Sequence, residues 1–246
     1  MQPNTQLVTD DNLPEDERAF MSKIPYMNMV GSLRYIADCT RPDIAFITSQ
    51  LAKHLKSPSM LHYNALVHCM QYLKGTKDKW LLFGHGNHDN ITGYTDVDGM
   101  MQENNKAISG YTFFLGESLI SWSSKGQKLV SLSTYEAELI ALSNGIQEAI
   151  ALRYLAEEIL QISDAPTNIY CDNQAVIKSI EADETKYSTR TKHIGLRRNF
   201  IKCYVEEQLI NIKYVQTDEQ RADILTKSLH VPKIKHLTDL ISLVNV

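Results

Sequence analysis

Residues 91–97, ITGYTDV, and residues 110–123, GYTFFLGESLISWS, decide the fold. Both runs are rich in β-branched and aromatic residues with a period of two, the pattern of strands. Gly116-Glu117-Ser118 supplies a hairpin turn between a strand at Gly110–Leu115 and another at Leu119–Ser123, and Ile91–Val97 is the strand before them. Trp80–Phe83 reads as a further short strand. Downstream the pattern alternates: a long helix at Thr134–Leu160, a strand at Asn168–Cys171, a helix from Gln174, a helix at Thr191–Val205 and a strand at Leu209–Val215. Helices near Glu219–Lys227 and Val231–Leu243 close the chain. Three antiparallel strands followed by alternating helix and strand describe an α/β domain, a mixed sheet with helices on its faces.

Upstream of Gly75–Lys79 the period lengthens to nearly four. Met29, Val30, Leu33 and Ile36 mark one helix. Pro42, at a favoured first-turn position, opens a second with Ile44, Ile47, Leu51 and Leu55 on one face. A third runs from about Ser59 through Leu66, Met70 and Leu73 to Gly75, read as its C-terminal cap. The expected organisation is a flexible acidic lead-in at residues 1–22, a small three-helix bundle at 23–78, the α/β domain at 79–230 and a C-terminal helix at 231–246.

With 43% hydrophobic and 22% charged residues, the chain is an ordinary globular protein rather than a disordered one. Cys39, Cys69, Cys171 and Cys203 are too scattered for a zinc knuckle or a disulfide framework. Asp10, Asp11, Glu15, Asp16 and Glu17 against a lone Arg18 are the wrong charge for a secretion or transit signal, and no apolar run is long enough to span a bilayer. A soluble intracellular protein is expected. The net charge of −4 speaks against indiscriminate gripping of nucleic acid, yet Lys186, Arg190, Lys192, Arg197, Arg198 and Lys202 fall in one stretch without an acid.

Four carboxylates stand where a soluble fold does not need them. Asp96 lies toward the end of the first central strand, Asp172 directly after the strand Ile169-Tyr170-Cys171, Glu138 in the first turns of the long helix, and Asp223 at the start of a helix. If the two strands are neighbours, Asp96 and Asp172 meet at the carboxyl end of the sheet. Packed carboxylates repel and their pKa values rise unless a cation neutralises them. Oxygen donors suit Mg2+ or Mn2+, and two such ions roughly 4 Å apart clamp the attacking and leaving oxygens of a phosphodiester.

At these residues the sequence resembles the C-terminal part of Ty1/copia-type LTR retrotransposon polyproteins. The matching pieces are Gly93-Tyr94-Thr95-Asp96, Ser109-Gly110-Tyr111-Thr112, Ser121-Trp122-Ser123, Leu132-Ser133-Thr134-Tyr135-Glu136-Ala137-Glu138, Tyr170-Cys171-Asp172-Asn173-Gln174, Thr189-Arg190-Thr191-Lys192-His193 and Ala222-Asp223-Ile224-Leu225-Thr226-Lys227, in the family's order. Val30-Gly31-Ser32-Leu33-Arg34-Tyr35, Thr40-Arg41-Pro42-Asp43-Ile44 and Tyr72-Leu73-Lys74-Gly75-Thr76 resemble the segment that follows the reverse-transcriptase palm in those elements. The resemblance implies a ribonuclease H-like fold, a five-stranded mixed sheet whose first three strands are antiparallel, preceded by thumb or connection material. It implies an endonuclease for the RNA strand of RNA/DNA hybrids with two Mg2+ or Mn2+ held by Asp96, Glu138, Asp172 and Asp223. The hybrid and the reverse-transcriptase palm or other polyprotein parts are the implied partners, with no membrane, in the cytoplasm, the nucleus or a virus-like particle. The palm's paired-aspartate motif is absent, so no polymerase activity is expected. The alternative is a non-cutting or domesticated remnant that binds nucleic acid or a protein.

Two choices within the site remain to be argued. Glu136 and Glu138 lie about 200° apart on a helix, so both cannot face one metal. Glu138 shares the apolar stripe of Ala141, Leu142, Gly145 and Ala149, and it is the preferred ligand. Asp98 rivals Asp96 because alternate strand residues point the same way, though a turn aspartate before Gly99 is the simpler reading. The chain departs from the family at Gly99 and Met100, where a tryptophan usually follows the second aspartate.

Arg190, Lys192, Arg197 and Arg198 are candidate phosphate contacts or solvated surface cations. Asn173 and Gln174 are candidate contacts to the 2'-hydroxyls or bases, with helix capping the other reading of Asn173. His193 is an auxiliary candidate for proton transfer or product release, or a packing residue at a helix start. His85, His88 and Asp89 read as a loop rather than a metal site, and Trp122 with Tyr111 and Phe113 as sheet packing rather than a base platform.

Overall fold

The computed structural model describes residues 7–9, 12–84, 90–98, 106–160, 165–182 and 192–245, with the backbone alone at Lys192 and His193. The chain begins with α1 (Glu15–Met21), α2 (Tyr26–Cys39), α3 (Ala45–Leu51) and α4 (Met60–Gly75). Tyr26, Val30, Leu33 and Ala37 form the buried stripe of α2 at helical spacing. Pro42 starts the 3-10 turn Pro42–Ile44 that leads into α3, which is buried almost all round. The segment expected as a flexible lead-in contains α1. One of its acids serves as a cap: Glu17 Oε1 accepts the Met60 amide at 2.6 Å, and Met21 is buried.

Strand β1 (Lys79–Leu81) precedes β2 (Ile91–Asp98), β3 (Ile108–Leu115) and β4 (Ser118–Gly126). Then come α5 (Thr134–Leu160), β5 (Thr167–Cys171), α6 (Gln174–Glu181), α7 (Lys192–Glu206), β6 (Ile210–Tyr214), α8 (Val231–Leu240) and β7 (Leu243–Asn245). The main sheet has the order β4-β3-β2-β5-β6, with β2, β3 and β4 antiparallel and β5 and β6 parallel to β2. This is the ribonuclease H-like sheet.

Three elements differ from expectation. The strand expected at Trp80–Phe83 forms with shifted bounds, as β1, and pairs with β7 in a separate two-stranded ribbon, Trp80 opposite Val244. The final helix stops at Leu240 because Ser242 takes a left-handed φ of 61°, and the chain turns into β7. The helix expected at Glu219–Lys227 is instead two 3-10 turns, Thr217–Glu219 and Arg221–Leu225.

Phe113 and Phe114, neighbours on β3, are fully buried on opposite faces of the sheet. Phe113 packs with Leu139, Leu142, Ile146 and Ala149 of α5 and with Ile169. Phe114 joins the core of the helical bundle, which includes Leu33, Leu51, Leu66, Leu225, Leu237 and Leu243. The bundle thus shares a core with the sheet's other face and the C-terminal elements. The Trp122 indole donates to Ala37 O at 3.0 Å across this junction, so the tryptophan serves packing. Among the described residues no helix is long and apolar enough to cross a membrane.

Candidate active site

Parallel pairing sets the first two acids level with each other. Tyr94 of β2 is opposite Tyr170 of β5, so Asp96 and Asp172, each two residues further on, come to the same edge of the sheet. On the other side of β2, Asp96 is opposite Gly110 of β3. A Cβ at Gly110 would lie 2.7 Å from Thr226 Cγ2 and 3.0 Å from Leu225 Cβ. The glycine therefore lets the 3-10 segment carrying Asp223 seat against the sheet. Gln220 locks that segment, its side-chain amide donating to Thr95 O at 3.0 Å and its oxygen accepting the Ala222 amide at 3.3 Å. A second close approach places the glutamate: a Cβ at Gly145 would lie 2.3 Å from Thr95 Cγ2, so α5 rests directly on β2 and carries Glu138 to Asp96.

The resulting cluster is buried. Asp96 is 1%, Asp223 3% and Glu138 9% exposed, while Asp172 is half-buried at the rim. Thr226 Oγ1 donates to Asp96 Oδ2, and Thr217 Oγ1 donates to Asp172 Oδ2 at 3.3 Å. Lys227 Nζ lies 2.8 Å from Asp223 Oδ1 and 3.4 Å from Asp96 Oδ2, with Lys233 Nζ 3.8 Å from Asp223 Oδ2. On the opposite side, ligand atoms of Glu138, Cys171 and Asp172 all lie within 4.8 Å of one another.

Burial, followed by the charges of Asp96 and Asp172, pushes the Glu138 carboxyl up to about 9. Burial also raises Asp96, to about 7, against the pull of Lys227, and it raises Asp223 against the same ammonium. Burial alone would depress Lys227, but Asp96 and Asp223 outweigh it and hold the ammonium above the usual lysine range. Carboxylates that burial and mutual repulsion drive toward protonation, and that offer oxygen donors alone, fit a hard divalent cation.

Glu136 and Glu138 separate cleanly. Glu136 turns back to cap α5, its Oε2 accepting the Leu132 amide at 2.9 Å while its own amide donates to Ser133 Oγ at 3.1 Å. Glu138 faces the cluster. Asp98, two residues from Asp96, is half-buried, and it is Asp96 that the Lys227 ammonium contacts.

The retrovirus-related Pol polyprotein of transposon TNT 1-94 from Nicotiana tabacum is 36% identical over 229 residues, covering 93% of this chain. The chain is similar to a segment of the Pol polyproteins of copia-type retrotransposons. The Pol polyprotein of transposon RE2 from Arabidopsis thaliana is 34% identical over 223 residues and 90% of the chain. The chain spans 17% and 15% of the length of these two relatives. No protein-family model matches it. Among solved structures, the foamy viral protease-reverse transcriptase in complex with RNA/DNA hybrid is similar with a TM-score of 0.50 and 13% identity, over 84% of this chain and 27% of that one.

The basic candidates divide. Arg198 is 3% exposed and its guanidinium donates to the carbonyls of Ser179 and Ala182 at the end of α6. It clamps two helices together, which corrects its reading as a phosphate contact. Arg197, half-buried, donates to Ser143 Oγ at 3.4 Å. Asn173 caps α6, its side-chain oxygen accepting the amides of Ala175 and Val176 at 3.0 and 3.2 Å. Gln174 is exposed just beyond Asp172. Arg190, Gly99, Met100, His85, His88 and Asp89 lie outside the described residues, as do the side chains of Lys192 and His193. Sequence reasoning missed Lys227, Thr226 and Cys171 as members of the site. The signal was present, since all three stand inside the motifs that carry the Pol resemblance.

Proposed function

We propose that this Pol segment is a metal-dependent ribonuclease H that cuts the RNA strand of RNA/DNA hybrids endonucleolytically. The observation that carries the reading is the convergence of buried Asp96, Glu138 and Asp223 with half-buried Asp172, from four separate elements, into one cluster at the carboxyl edge of the sheet. A foamy viral relative in fold was solved with such a hybrid, which supports the substrate.

In this reading the four carboxylates hold two Mg2+ or Mn2+. Bound there, the cations supply activation of the attacking water and stabilisation of the departing 3'-oxygen, leaving 5'-phosphate and 3'-hydroxyl ends. Asp96 is the common member, flanked by Asp223 on one side and by Glu138 and Asp172 on the other. The Thr226 hydroxyl fixes the Asp96 carboxylate, and burial keeps bulk water from competing for it. Gln174, exposed beside Asp172, would meet the 2'-hydroxyls that mark RNA, with Asn173 capping the helix that carries it. Arg190, Lys192 and Arg197 would meet backbone phosphates, and His193 would assist proton transfer or product release. The helical bundle, sharing a core with the sheet, would join the nuclease to the palm and other Pol parts.

The test compares the protein with Asp172→Asn on a labelled hybrid in Mg2+ or Mn2+. Metal-dependent cutting by the unmodified protein alone supports the reading. Equal cutting by both rejects the site, and no cutting by either rejects the enzyme in favour of a binding remnant.

A further inference from the structure

The acidic cluster has two unlike halves. Toward α8, Lys227 bridges Asp223 at 2.8 Å and Asp96 at 3.4 Å, and Lys233 stands 3.8 Å from Asp223. Toward α6, Glu138 and Asp172 approach each other within 4.8 Å, and the neighbours that share their space are neutral, the buried thiol of Cys171 and the side-chain amide of Asn173. One half already holds a counter-charge between its two carboxylates. In the other, among the described residues, no ammonium reaches contact distance: Glu138 and Asp172 take hydrogen bonds from the Asn173 side chain and from Thr217 Oγ1 and feel Lys227 only from further off.

A divalent ion entering between Asp96 and Asp223 would meet the ammonium at contact distance, and like charges in a low-dielectric setting repel strongly. Entry between Glu138 and Asp172 meets no ammonium at contact distance among the described residues. Lysine is also the residue suited to move away, a compact charge on a flexible four-carbon stem, and the Lys227 side chain keeps 32% of its surface open to solvent. A backbone phosphate beside the site offers that ammonium an alternative anion.

We propose that Lys227 is a built-in counter-cation that closes the Asp96–Asp223 half of the site to divalent ions, so that the protein free of nucleic acid binds one such ion. The second position becomes available when a phosphate of the bound strand draws the ammonium off the carboxylates. Lys227 is thus a positioning residue that couples full metal loading to substrate. The inference rests on the proposed metal-binding role of the four carboxylates.

The test is a Mn2+ titration of the protein without nucleic acid, with free ion followed by electron paramagnetic resonance and only ions lost on Asp96→Asn counted. One ion is expected for the unmodified protein and for Lys227→Arg, and two for Lys227→Met or Lys227→Gln. Two ions in the unmodified protein, or one in the folded neutral variants, overturns the proposal, and the first of these results stands even if neither variant folds. A protein that binds two ions and still cuts hybrid would remove the role of Lys227 and leave the nuclease reading intact. Absence of any Asp96-dependent Mn2+ binding overturns both.

Discussion

Gly145 on α5 and Thr95 on β2 are in such close contact that a Cβ at position 145 would sit 2.3 Å from Thr95 Cγ2. This approach sets the height of the helix over the strand, and with it the distance between Glu138 and Asp96. Gly145→Ala forces the helix outward and is expected to cost about 1–3 kcal/mol, an overpacking penalty. Urea denaturation reads it, and Thr95→Ser in the same chain should return part of the loss by removing the methyl. A neutral Gly145→Ala would show that the contact does not set the spacing.

Two glutamates on one helix turn allow a controlled comparison. Glu138→Gln is expected to slow hybrid cleavage by on the order of 10²-fold or more, since a metal position is worth several kcal/mol in the transition state. Glu136→Gln leaves chemistry in place and keeps an oxygen acceptor for the Leu132 amide, so stability is expected to change little. Cleavage rates of the two variants on the same hybrid decide it, and the reverse order would exchange their roles.

The site's acids were legible in the sequence to the extent that their elements were. Asp96 and Asp172 end strands whose period of two is plain, and a parallel pairing of those strands brings them level. Asp223 was legible as an acid but its element was not, because the turns at 217–225 are held by Gln220 reaching Thr95 on β2, a tertiary bond that local propensity does not see. In the ribbon of β1 and β7 the first strand was read, at Trp80–Phe83, but β7 is three residues long and its Leu243 lies 164 residues from Lys79, so the pairing left no periodic signal. Arg198 reads as a surface cation until the carbonyls of Ser179 and Ala182 are folded over it. Lys227 reads as a helix lysine until Asp96 comes within 3.4 Å.

The raised carboxyls make metal-free stability depend on pH. Glu138 rises from 4.5 in the unfolded chain to about 9 in the folded one, so the folded state holds its proton more tightly. That stabilisation is fully present below the unfolded value and is lost as pH rises through about 9. In chelator, stability should therefore fall between about pH 5 and pH 9, and Glu138→Gln should flatten the fall. Added Mg2+ should offset it by binding the charged form. Denaturation midpoints across that range check this, and a metal-free stability that climbs with pH would contradict the burial of these groups.

Arg197 and Arg198 are neighbours with different predicted effects. Arg198→Ala breaks charged hydrogen bonds to two carbonyls and is expected to cost about 1.5–3 kcal/mol of stability with no change in the salt dependence of hybrid binding. Arg197→Ala is expected to weaken binding and reduce the salt slope by about 0.9. Fluorescence anisotropy at several salt concentrations separates them, and an unchanged slope for Arg197→Ala would remove it from the phosphate path.

The most direct test of the account is to present the protein with one labelled RNA strand in two settings, paired with DNA and paired with RNA, in Mg2+ and in chelator. The account predicts internal cuts in the RNA of the hybrid in Mg2+ alone, with the all-RNA duplex left intact. Cutting that persists in chelator, or that spares the hybrid in Mg2+ and Mn2+ alike, would contradict it.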